Sequence, residues 1–97
     1  MEEKYVISIK AIKNGEGNPF EEWRYAGIDD GFNGSGYPVW CFSVYTGESF
    51  DSVKSASEWF NECKQYLFGK YYDVNDFDMT TLAIRKIVYK KEASLVV

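Results

Sequence analysis

Apolar residues recur at helical intervals in one stretch of this chain and alternate in most of the rest, which confines the fold to strands around a single helix. The helical stretch carries Val53, Ala56, Phe60, Cys63 and Leu67, leaving Glu58, Asn61, Glu62 and Lys64 for a wet side. Ser49-Phe50-Asp51-Ser52 supplies N-cap candidates ahead of it, and Gly69 is placed to end it in a left-handed cap. From about Lys4 to Lys13, Tyr5, Ile7, Ile9 and Ala11 face one way and Val6, Ser8, Lys10 and Ile12 the other. Phe20 to about Ile28 sets Trp23 and Tyr25 against Arg24 and Ala26, and Val39 to Tyr45 sets Trp40, Phe42 and Val44 against Cys41 and Ser43. A last strand, from about Thr80 to Lys91, sets Leu82, Ile84 and Val88 against Arg85, Ile87 and Tyr89.

Turn composition separates these runs. Asn14-Gly15-Glu16-Gly17-Asn18-Pro19 predicts a hairpin, because glycine and asparagine tolerate positive φ and proline ends pairing. Asp29 to Pro38 is too long for a tight turn and too glycine-rich for a regular element, and residues 70–79 form an acidic, aromatic loop. The expectation is one α+β domain over residues 1–97: an antiparallel sheet of about four strands in β-β-β-α-β order, with one amphipathic helix packed on one face. The position and direction of the last strand stay open, since the helix crossover favours one answer and the long loop after it permits the other.

A chain of 97 residues has room for one core, and 45% hydrophobic residues argue against disorder. No run approaches the roughly 20 apolar residues of a membrane span, and Met1-Glu2-Glu3-Lys4 is acidic where a secretory leader would be basic, so a cytoplasmic location is expected. Cys41 and Cys63 lack metal or redox spacing and read as reduced core residues.

Histidine is absent, which removes histidine-activated nucleophiles, histidine general bases and nearly all zinc sites. The pairs Glu21-Glu22 and Asp29-Asp30 put neighbours on opposite faces of a strand and cannot bracket one bond, so no enzyme and no cofactor is expected. Asp73-Val74-Asn75-Asp76-Phe77-Asp78 fails as a calcium loop: Phe77 stands where an oxygen ligand belongs and Asp78 where glycine is required. Gly31-Phe32-Asn33-Gly34-Ser35-Gly36 matches neither the dinucleotide fingerprint nor the phosphate loop.

Charge is uneven along the chain. Residues 16–78 hold twelve acids and four bases, whereas the two ends hold three acids and seven bases. With a net charge of −4, direct nucleic-acid binding has the wrong sign, leaving only the Lys13, Lys86, Lys90 and Lys91 end to serve it. The acidic middle also holds the aromatics hardest to bury, so the expected partner surface comprises Asp29, Asp30, Phe32, Tyr37, Tyr71, Tyr72, Asp73, Asp76 and Phe77, facing a protein partner with a basic surface. In size and acidity the chain is similar to phage-borne anti-CRISPR and anti-restriction proteins and to toxin immunity proteins, a likeness of general character that no motif carries. It implies a stoichiometric inhibitor docking on the basic groove of a nucleic-acid enzyme. Two other readings stand beside it: an assembly component that adds strands to a partner's sheet, with Leu95-Val96-Val97 as a pairing candidate, and a small-molecule binder using the surplus aromatics.

Overall fold

The computed structural model describes residues 2–14, 16–29 and 36–89. The chain forms β1 (Glu2–Lys13), β2 (Pro19–Asp29), β3 (Tyr37–Cys41), helix α1 (Val53–Gln65) and β4 (Phe77–Tyr89). The strands make one open antiparallel sheet in the order β3-β2-β1-β4. This is the expected α+β layout, and it resolves the open point: β4 pairs with β1, at the edge opposite β3.

Asn14 closes the hairpin between β1 and β2. Its Oδ1 accepts from the backbone N–H groups of Glu16 and Asn18, both at 2.9 Å, and Gly17 adopts φ +82°. The two strands pair from Lys13↔Pro19 to Ser8↔Tyr25 and then part. Into the gap comes the segment that follows β3: the Glu48 N–H donates to the Ala26 carbonyl at 2.9 Å, and Phe50 exchanges two backbone bonds with Tyr5 at 2.8 Å. Thr46 and Gly47 pack over Gly27, while Phe50 stacks on Trp59 of the helix, 5.5 Å between ring centres. The chain thus crosses from one side of the sheet to the other between β1 and β2.

Ser52 then caps α1, its hydroxyl accepting the Ser55 N–H at 3.1 Å. Ala56 and Leu67 are fully buried and Phe60 and Cys63 partly so, but Val53, expected on the same stripe, is half exposed. The helix ends at Gln65 rather than running on to Gly69, and leaves through a π turn, Tyr66–Lys70. Gly69 there takes φ +118°, a value that favours glycine, and its N–H donates to the Tyr72 carbonyl. That turn lets Leu67 dive into the core and its carbonyl accept the Trp40 indole N–H at 3.0 Å.

The core lies between the sheet and the helix: Ile7, Ile9, Ala11, Ala26, Trp40, Ala56, Leu67 and Phe77. Trp40, Phe68 and Phe77 form a triangle of rings 5.5–5.9 Å apart, with Phe60 and Tyr72 on its flanks. Val6 and Ser8, on the other face of β1, are buried as well. Arg85 helps to cover them, since its guanidinium donates to the Ser8 hydroxyl at 2.6 Å and the Thr81 carbonyl at 2.9 Å and lies 4.5 Å from the Trp23 ring centre. Cys41 and Cys63 are free thiols, both partly buried. No helix among the described residues is long and apolar enough to cross a membrane.

Candidate functional site

β3 is shorter than its alternation suggests. It ends at Cys41, and Ser43 folds residues 43–47 into a turn: its carbonyl accepts from the N–H groups of Thr46 and Gly47 and from the Thr46 hydroxyl. Phe42 is therefore not on an inner strand face with Trp40, as the sequence pattern predicts, but 75% exposed, and Tyr45 is 81% exposed. Both are surface aromatics that sequence reasoning missed. The Ser43-Thr46-Gly47 composition was the signal available for them.

Phe42 stands at the mouth of an open groove of about 720 Å³ that runs past the end of β3. Asp29, Tyr71, Tyr72, Asp76 and Phe77 border the same groove, so these five expected site residues are brought together. Asp73 lies in an adjoining hollow with Gly69, Tyr71, Tyr72 and Val74. Tyr37, 41% exposed, sits on β3 outside the groove lining, and Asp30 and Phe32 lie outside the described residues.

Not all of these side chains are available to a partner. Phe77, expected as an exposed anchor, belongs to the core at 8% exposure, packed between Trp40 and Phe68. Tyr72 is half-buried, and its hydroxyl accepts the Trp40 backbone N–H at 3.1 Å. Asp73 is engaged locally, its Oδ1 accepting the Asn75 N–H at the head of a 3-10 turn, Val74–Asp76. Tyr71 at 66% exposure, Phe42, and the carboxylates of Asp29 and Asp76 also border the groove. On the floor lies Arg24, 8% exposed, its guanidinium carbon 4.4 Å from the centre of the Phe42 ring and 5.4 Å from that of Phe20.

Charge segregated along the sequence is partly mixed in space, because Lys4 pairs with Asp51 and Lys10 with Glu21 across the sheet. Asp29 and Glu48 act on Cys41 as well: burial chiefly, and then those two carboxylates, push its thiol above the usual range against a hydrogen bond from Thr46 that lowers it. Burial raises Cys63 in the same direction. Both shifts run opposite to those that activate a thiol.

The two edges of the sheet are treated differently. On β3 the outward-facing backbone positions are Pro38, which has no N–H, and Trp40, whose N–H is held by Tyr72. On β4 the outward positions follow from Tyr5, which spends both backbone groups on Phe50 and so leaves Lys86 opposite it facing out, with Ile84 and Val88 in the same frame. No strand covers that side among the described residues. Nor does any group of three or more acidic or cysteine side chains among them suit a metal ion. No protein-family model, curated protein or solved structure matches the chain.

Proposed function

We propose that the protein is a stoichiometric inhibitor, of the anti-CRISPR or anti-restriction kind, that docks its groove rim on a basic protein surface of a nucleic-acid enzyme in the cytoplasm. The observation that carries this reading is the meeting of two strongly exposed rings, Phe42 and Tyr71, with the carboxylates Asp29 and Asp76 around one concave surface. Exposed aromatics among polar groups are the usual anchors of protein interfaces, and carboxylates beside them orient and accelerate docking on a cationic partner. With its partner captured from the native host, binding kinetics over a salt series test the reading. Reversing Asp29 and Asp76 to lysine should slow association roughly tenfold at low salt and flatten its salt dependence. Phe42→Ala or Tyr71→Ala should instead speed dissociation by roughly tenfold or more, the scale of a hot-spot loss. Association that is unchanged by charge reversal at every salt concentration removes the electrostatic part of the proposal.

A second reading, assembly through strand addition, is favoured by the edge of β4, which no strand among the described residues covers. It predicts that the amides of Ile84, Lys86 and Val88 exchange with solvent quickly in the isolated chain and slowly once a partner strand is seated. Protection confined to the groove rim in the complex counts against it.

A further inference from the structure

We propose that the outer edge of β4, together with the cleft beside it under α1, takes an extended acidic segment of another protein, paired as a further strand with one aliphatic side chain over the cleft. The proposal rests on the strand-addition reading and deepens it by naming the chemistry of the added strand. Ile84, Lys86 and Val88 turn their backbone groups outward along this edge. Such groups bind any extended chain, so selectivity has to come from side chains. Two features of the edge supply it.

The first is a cleft of about 180 Å³ between α1 and β4, lined by Ile7, Ser57, Phe60, Asn61, Leu82 and Ile84. Ligand pockets begin at about 300 Å³, so this one suits a single aliphatic side chain rather than a small molecule. Ile84 both lines the cleft and offers its backbone to the incoming strand, so the residue paired with it points to the same face, over the opening. The second feature is charge. Lys86, two residues on, projects from the same face and meets only the exposed Glu3, at 3.8 Å, in a pair of little strength. On α1, Ser57 and Asn61 face the cleft, and at about 3.6 residues per turn Lys54 and Lys64 lie on their stripe, whereas Glu58 and Glu62 fall toward the outer side. All three lysines are exposed. In a chain of net charge −4 they form a local basic strip along this edge. An acidic strand is drawn to it, while a second copy of the chain would set the same lysines against each other. Because alternate residues of a strand share a face, the expected pattern is Glu-x-Leu-x-Glu, with leucine opposite Ile84 and a glutamate opposite Lys86.

The probe is the acetylated and amidated heptapeptide Thr-Glu-Thr-Leu-Thr-Glu-Thr, titrated into the isotope-labelled chain and followed by NMR. Beside it run versions with glutamine or lysine at both glutamates, and one with asparagine for leucine. Saturable shifts of the Ile84, Lys86, Val88 and Asn61 amides are expected with the acidic peptide at millimolar concentration, its advantage shrinking as salt is raised. Binding should weaken several-fold with glutamine or with asparagine and vanish with lysine. Lys64→Glu combined with Lys86→Glu, both at exposed positions, should turn the preference to the lysine peptide, a reversal that loss of structure cannot produce. Equal binding of the acidic, glutamine and lysine peptides overturns the inference and leaves strand addition standing. Absence of any saturable shift along β4 also overturns it, and strand addition is then judged separately by the exchange of the same amides with the native partner seated. Shifts along β4 that grow with protein concentration before any peptide is added identify a second copy as the occupant and overturn it too.

Discussion

Gly27 is needed for space rather than for conformation. A Cβ built there would stand 2.6 Å from Cys41 Sγ and 3.2 Å from both the Gly47 Cα and the Thr46 carbonyl, closer than packed atoms approach. Gly47 faces the same limit from the other side, with Tyr25 Cβ at 2.9 Å and the Ala26 carbonyl at 3.2 Å. Gly27→Ala should cost about 1–3 kcal/mol, the usual scale of overpacking, as read from urea melts. Adding Cys41→Ala removes the sulfur but not the backbone of Thr46 and Gly47, so the double variant should recover part of the loss. A glycine inside strand alternation is itself a mark of close backbone approach, so this much was open to the sequence. What approaches it was not, because the neighbours come from residues 41–47.

At the scale of elements, the helix and the first two strands were legible because their periodicity is unbroken for two turns or more. β3 and β4 were less so. Alternating aromatics look alike on a strand and on the turn that follows it, which is why the pattern places Phe42 on an inner face with Trp40. β4 starts at Phe77 rather than at Thr80 because Asp78 and Thr81 hold its extra residues in a bulge: Thr81 Oγ1 accepts the Lys10 N–H and donates to the Asp78 carbonyl. The Thr80 hydroxyl and amide lower the Asp78 carboxyl below its ordinary value. Because the folded value is depressed, the stability it lends is full above about pH 4, where the unfolded group also ionises, and is lost as pH falls through the folded value. An Asp78→Asn variant should therefore differ most from the parent at neutral pH, with the gap in denaturant midpoint closing in acid. The helix and the turn that follows it offer a sharper test. Leu67→Ala, in the turn, should cost about 2–5 kcal/mol, whereas Val53→Ala, half exposed at the start of the helix, should stay within roughly 0.5 kcal/mol. Equal losses would mean that the segment is seated on a different face.

Across the whole molecule, composition and pattern gave the class of fold, and of the residues that border the groove they singled out Asp29, Tyr71, Tyr72, Asp76 and Phe77 but not Phe42 or Arg24. Asp29, Tyr71, Tyr72, Asp76 and Phe77 meet because β3 and the Tyr66–Asp76 connection end side by side, a long-range arrangement that local pattern does not encode. The surplus of aromatics misled in a specific way: it suggested unburied rings at residues 71–77, whereas Phe77 and Tyr72 join Trp40, Phe60 and Phe68 in the interior. Arg24, alone among acids in its stretch, reads as solvent-facing because it is a single arginine on an alternating strand, but Phe20 and Phe42, the latter just past the end of β3, both lie over its guanidinium.

The wedge between β1 and β2 bears on the order in which the chain folds. Hairpins close in about 1–10 μs, well before contacts of long sequence separation can form, and this one has more strand to zip than its native ladder uses. Pairing of the two strands beyond Ser8↔Tyr25 would compete with the arrival of Glu48 and Phe50 at Ala26 and Tyr5. Stopped-flow refolding should then show a phase whose rate changes when residues 48–50 are altered, and single-exponential refolding insensitive to those residues counts against such competition.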